Sequence, residues 1–461
     1  MKNGLTAACG NCYRNRMTKN LFAFSLVAGL ACAEPCKICI VDKGNGWPVP
    51  LVELRTTHHV RMVSDNAGVV AFDLPELMGK ETWFDVTGHG YGIPKDGFGC
   101  SGFRFVPKPG ETHTVKVTRT NLSKRLGRLT GAGLLAESAR CGGDPGPAET
   151  GVLGCDTVMI APYQGKLFWL WGDTTLAHYP LGLFHTLGAV SAPDALARFE
   201  PPVSLPYTHF RNAEGRPRNI AELPGSGPTW LSGLVTLPDA SGKERLGAVY
   251  VKIKPPLEPY ETGLCVWNDE KANFEVLKTV WRKDGGAPKP AMPEGHPVRF
   301  TEGGATRLLF GNPFPRLSCP DTFEGWQDPA QWQALKPQER IPTRDGNGTV
   351  AAHDGSIMWS GQRKKWVTVF MENFGKPSVF GEVWYAESDS PFEGWGRAVK
   401  ILTHDNYTFY NVVMHPELAP PDADFLLFEG TYTMQFADHP APTPRWDYNQ
   451  VLYRLDFKDV E

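Results

Sequence analysis

Lys166-Leu167-Phe168-Trp169-Leu170-Trp171-Gly172-Asp173-Thr174 alternates apolar and aromatic side chains and then stops on an acid. Such a run predicts a buried strand, and Gly172 permits a tight turn at its end. A carboxylate leaving a buried strand is costly to desolvate without a partner, a metal or a substrate, so Asp173 is a candidate functional group. The same residues also fit a plain turn, in which the Asp side chain accepts hydrogen bonds from nearby backbone amides. Strand-like segments recur at 157–161, 246–253, 306–310, 366–370, 383–387, 425–428 and 451–455. That recurrence predicts a propeller with Asp173 near its mouth.

Composition narrows the class. The 461 residues hold 47 Lys and Arg against 50 Asp and Glu, a formal charge of −3. No basic surface for nucleic acid follows from that balance, nor strong attraction to anionic membranes. The 49 Gly, 40 Pro, 14 Trp and 25 Phe, with few amphipathic helical periods, predict an all-β protein of short strands and turn-rich loops.

The N-terminus reads as an export signal. Arg14, Arg16 and Lys19 precede the apolar run 21–30, and Ala31-Cys32-Ala33 supplies a small-x-small cleavage site. That run is too short to be a good transmembrane helix, and no other segment is apolar enough to span a bilayer. A signal peptide over 1–33 implies a periplasmic or secreted protein. Cleavage leaves seven of the ten cysteines, an odd set. Cys36-Lys37-Ile38-Cys39 has redox or zinc half-site spacing but lacks a second pair, which points instead to a local disulfide or a pairing with Cys100 or Cys141.

Residues 36–120 show a compact β pattern, with an Asp65-x-x-Gly68 turn before an aromatic strand and a Gly90-Tyr91-Gly92 corner. This order resembles the small transthyretin-like, or carboxypeptidase-regulatory-like, β-sandwich, a resemblance that implies no catalytic residues. The basic stretch 121–129 fits a short helix within an interdomain segment, 121–150, broken by Cys141-Gly142-Gly143-Asp144-Pro145.

From 151 to 461, about 310 residues at roughly 60 per blade make a five-bladed propeller. The segment Gly381-Glu382-Val383-Trp384-Tyr385-Ala386-Glu387-Ser388-Asp389-Ser390-Pro391-Phe392-Glu393-Gly394-Trp395 resembles the outer-strand signature of the arabinanase and β-fructosidase clan of five-bladed propeller glycosidases. The opening stretch 168–174 resembles the first-blade motif of related bacterial propellers, some of them endo-arabinanases. These resemblances imply a carbohydrate substrate or ligand. They leave the acid and base unaligned.

Glycosidic cleavage usually uses two carboxyl groups, one protonated and one ionised. Candidates are therefore acids at strand ends: Asp173 as base or nucleophile, and Glu382 or Glu429 as acid. Each has a structural alternative: a turn for Asp173, a strand-edge ion pair for Glu382, and burial against Arg445 for Glu429. Asp156 reads as a turn residue or as a helper that tunes a neighbour's pKa. Trp171, Trp230, Tyr410 and Tyr432 offer flat faces for sugar rings, and His178, His415 and Arg445 complete the candidate binding set. No cofactor motif or transition-metal spacing is present, although loop oxygens suit a structural calcium. Two rivals stand beside hydrolysis: a non-catalytic glycan-binding protein, and a polysaccharide lyase using Tyr410 or His415 as base and Arg445 to neutralise a uronate. Sugar identity, linkage and oligomeric state are not legible.

Overall fold

The computed structural model describes residues 34–131, 136–144, 146 and 151–461. The export signal expected over 1–33 lies outside the described residues. The fold is all-β.

The first part of the chain forms two packed four-stranded sheets. One has the order Val69–Phe72, Cys36–Asp42, Thr112–Arg119, Tyr91–Gly92; the other has the order Arg61–Val63, Glu53–Thr56, Thr82–Thr87, Gly102–Phe105. Alternation drives the packing: Cys36, Ile38 and Ile40 point inward with Leu54, Phe72, Phe84 and Val117, all fully buried. The same alternation forbids a Cys36–Cys39 bridge, because residues three apart on a strand face opposite ways. All seven described cysteines are free thiols, which corrects the disulfide expectation.

Five further sheets of four or five strands follow in chain order, with the leading strands Val158–Tyr163, Thr229–Pro238, His296–Glu302, Thr349–Ser360 and Thr408–Met414; the short Arg340–Pro342 precedes the fourth at its edge. Consecutive leading strands pack against one another. The last meets the first through Tyr410 Oη, which donates to Asp156 Oδ2 at 2.9 Å, and Asn411 Nδ2, which donates to Thr157 Oγ1 at 2.7 Å. The ring of sheets is thereby closed. Each strand-like segment expected from 157 onward coincides with an observed strand apart from Thr157, which precedes its strand at φ 49°; buried aromatic alternation is a strong local signal.

The basic stretch after 120 is not a helix. Lys124–Arg128 is the outer strand of the last sheet, antiparallel to Asn449–Asp456, and all five of its residues are buried. Distant partners make this burial tolerable. Lys124 Nζ lies 2.6 Å from both Asp456 and Asp459, and Arg125 donates to Tyr453 Oη and to the carbonyls of Pro50, Leu51 and His89. The chain thus closes its own ring with a strand borrowed from its early part.

Candidate functional site

The strand quoted at the outset is Lys166–Trp171, second in the first sheet and buried from Leu167 onward. Trp169 and Trp171 stack with ring centroids 5.9 Å apart, which anchors the strand end. Gly172 follows for a reason of space: a Cβ there would lie 2.5 Å from Asp156 Oδ1. Two backbone bonds then hold the acids side by side, Asp156 N to Asp173 O at 3.1 Å and Gly172 N to Asp156 O at 2.9 Å. Asp156 precedes the leading strand and Asp173 follows its hairpin partner, so both stand at one end of the ring.

That end opens into a cavity of about 570 Å³. Asp156, Trp171 and Asp173 form one wall and Trp230 the next. His296 and Arg316 come from the third sheet, Glu294 from the loop just before it, and Asn411 from the fifth. Burial and the neighbouring Asp156 charge push the Asp173 carboxyl up to about 7. The nearby Trp230 indole N–H pulls the other way without reaching hydrogen-bond geometry, and Trp230 Nε1 and Asp173 Oδ1 are both buried without partners. Burial also raises Asp156, opposed by the Tyr410 and Tyr448 hydroxyls. Glu294 accepts from Lys289 Nζ at 2.8 Å. Burial, and after it His415, lowers His296 to about 4, so it is neutral near pH 7.

The sequence candidates divide. Asp173, Trp171 and Trp230 line the cavity, and Tyr410 reaches its edge through Asp156. Glu382 does not line it. Fully buried, it pairs with Lys400 Nζ at 2.6 Å, the ion-pair alternative, and accepts from Thr403 Oγ1 at 2.6 Å. Glu429 is likewise fully buried, 3.4 Å from His415 Nε2, and its expected partner Arg445 instead pairs with Glu137. Neither His415 nor Arg445 lines the cavity, so the lyase set is not assembled around it. Tyr432 is buried, with its hydroxyl against His89 Nδ1 and Thr443 Oγ1, so it offers no free face to a sugar. His178 is exposed and does not line the cavity.

Glu294 escaped the sequence reading. Its signal was faint: an acid in Met292-Pro293-Glu294-Gly295-His296, in a loop without aromatic alternation, just ahead of a leading strand. Among the described residues, no group of three or more His, Cys, Asp or Glu is arranged to hold a metal ion.

No family model matches this chain, and no curated protein matches it. Solved structures do. A candidate hydrolase from Bacteroides ovatus ATCC 8483 overlaps 68% of this chain and 88% of its own, at 12% identity and a TM-score of 0.39. An exo-1,5-α-L-arabinanase from a bovine ruminal metagenomic library overlaps 66% and 93%, at 12% identity and a TM-score of 0.35. For an exo-β-1,3-galactanase from Phanerochaete chrysosporium the values are 66%, 61%, 9% and 0.36. Overlap of that order assigns no chemistry to this chain.

Proposed function

We propose that this chain is an exported glycoside hydrolase acting on poly- or oligosaccharides, built as a transthyretin-like sandwich followed by a five-bladed propeller. One observation carries the reading: a carboxyl raised to about 7, Asp173, shares an indole-lined cavity with Asp156 and Glu294. Carboxyls whose surroundings push their acidities apart can divide the acid and base roles. Asp173, protonated up to neutrality, donates its proton to the departing glycosidic oxygen. Glu294, hydrogen-bonded by Lys289 Nζ, serves as the carboxylate that assists water or attacks the sugar. Asp156 holds the Asp173 proton in place by its charge. This reverses the role first expected of Asp173, because burial favours its neutral form. Trp230 gives the sugar its apolar wall, backed by the buried Trp171.

The test incubates the mature protein with arabinans, β-1,3-galactans, fructans and uronate-containing polymers, reading reducing ends and ultraviolet-absorbing unsaturated products. Asp173→Asn should lower reducing-end release by about 10²–10⁴-fold, the usual worth of a general acid. Undiminished release in that variant would overturn the assignment, and unsaturated products would make the protein a lyase. Binding without any product would make it a recognition protein.

A further inference from the structure

A row of aromatic rings leaves the cavity and runs outward across the surface. Tyr410, bonded to Asp156, lies 6.1 Å from Phe436 between ring centroids; Phe436 lies 6.4 Å from Phe380, and Phe380 lies 5.5 Å from Phe374. Core packing does not account for the outer members. Phe436 and Phe374 are 67% and 68% exposed. Their backbones sit at φ 59° and 56°, a region that bulky side chains avoid. Each residue therefore combines an exposed apolar ring with a disfavoured backbone, a combination that marks function more often than packing.

Topology puts the row on the cavity side. Phe374 and Phe380 lie between the Lys365–Glu372 and Val383–Ser388 strands, and Phe436 follows Phe425–Thr433. Asp173 stands at the equivalent place, after the second strand of its own sheet. The row is thus continuous with the acid-lined cavity through Tyr410. Flat aromatic rings, rather than aliphatic side chains, match the C–H faces of sugars.

We propose that Tyr410, Phe436, Phe380 and Phe374 form a stacking platform for successive sugar units of a chain whose scissile bond lies in the cavity. The substrate class is then a polysaccharide or long oligosaccharide rather than a disaccharide. This rests on the hydrolase reading, and the test keeps the two apart. The double variant F374N/F436N removes both rings while Asn tolerates the left-handed backbone. Its KM for a long oligosaccharide of the cleaved glycan should rise about tenfold or more, with a smaller change for a chromogenic monosaccharide glycoside. Phe98→Ala, at a 96% exposed ring on the sandwich, is the control and should change neither. Equal KM values for the long substrate in wild type and double variant would overturn the platform. If no glycan is cleaved at all, the hydrolase reading fails by itself. Calorimetric binding of long arabino-, β-1,3-galacto- and fructo-oligosaccharides then decides the platform: weaker binding of any of them in the double variant supports it, and equal or absent binding of all of them overturns it.

Discussion

Asp173 holds its proton to about pH 7 against an ordinary value of 3.8, because burial and the Asp156 charge both disfavour its ionised form. The native state thus binds this proton more tightly than the unfolded chain. The resulting stabilisation is complete below about pH 4 and is lost as pH climbs towards 7. Asp173→Asn cannot ionise, so it should match wild type at pH 4 and exceed it at pH 8. The gain should be about 1 kcal/mol, reduced from the full shift because the carboxyl is partly solvated. Urea unfolding at the two pH values measures it; a less stable variant at pH 8 would contradict the account. Glu382 behaves oppositely. Its carboxylate is fully buried against Lys400 and Thr403, so Glu382→Ala removes the ion pair and leaves the Thr403 hydroxyl and the buried Ser378 N–H without their acceptor. A loss of about 3 kcal/mol is expected by the same measurement.

The outer strand Lys124–Arg128 shows what a linear sequence hides. Its charges read as part of a short interdomain helix, yet their partners lie more than 300 residues away at Tyr453, Asp456 and Asp459. Aromatic alternation was legible because each strand carries its own signal. Glu294 and Lys124 were not, because their roles depend on neighbours supplied by the closed ring. Glu382 and Glu429 misled for the same reason: an acid in an apolar strand looks alike whether it faces a cavity or a buried partner. Asn66 clasps this strand, donating to the carbonyls of Arg128 and Val203 and accepting from Arg128 N. Gly127 permits that approach, since a Cβ there would lie 2.7 Å from the Asn66 amide. Asn66→Ala should therefore cost about 2–3 kcal/mol and speed amide exchange along 124–128, which hydrogen-exchange mass spectrometry resolves. Unchanged exchange there would contradict the clasp.

Sandwich and ring share one interior. Arg125, fully enclosed, lies over the Tyr91 and Tyr453 rings with centroids 5.3 and 5.6 Å away, and bonds carbonyls of the sandwich while its own strand completes the ring. Leu51 and Val63 of the sandwich belong to the same apolar cluster as Phe409, Phe428 and Tyr453. Calorimetry should therefore give one unfolding transition, and two well-separated peaks would contradict the shared interior. The ring also brings Glu294 to the mouth that Asp156 and Asp173 share, although it lies more than 100 residues further along the chain. In the proposed hydrolytic mouth, the Asp156 charge adds to burial in raising Asp173. The most direct test is kcat/KM against pH on the cleaved glycan, for wild type and Asp156→Asn. The account predicts a wild-type rate that falls above about pH 7, with that limb moved to lower pH once the Asp156 charge is gone. A falling limb at the same pH in both proteins would contradict it.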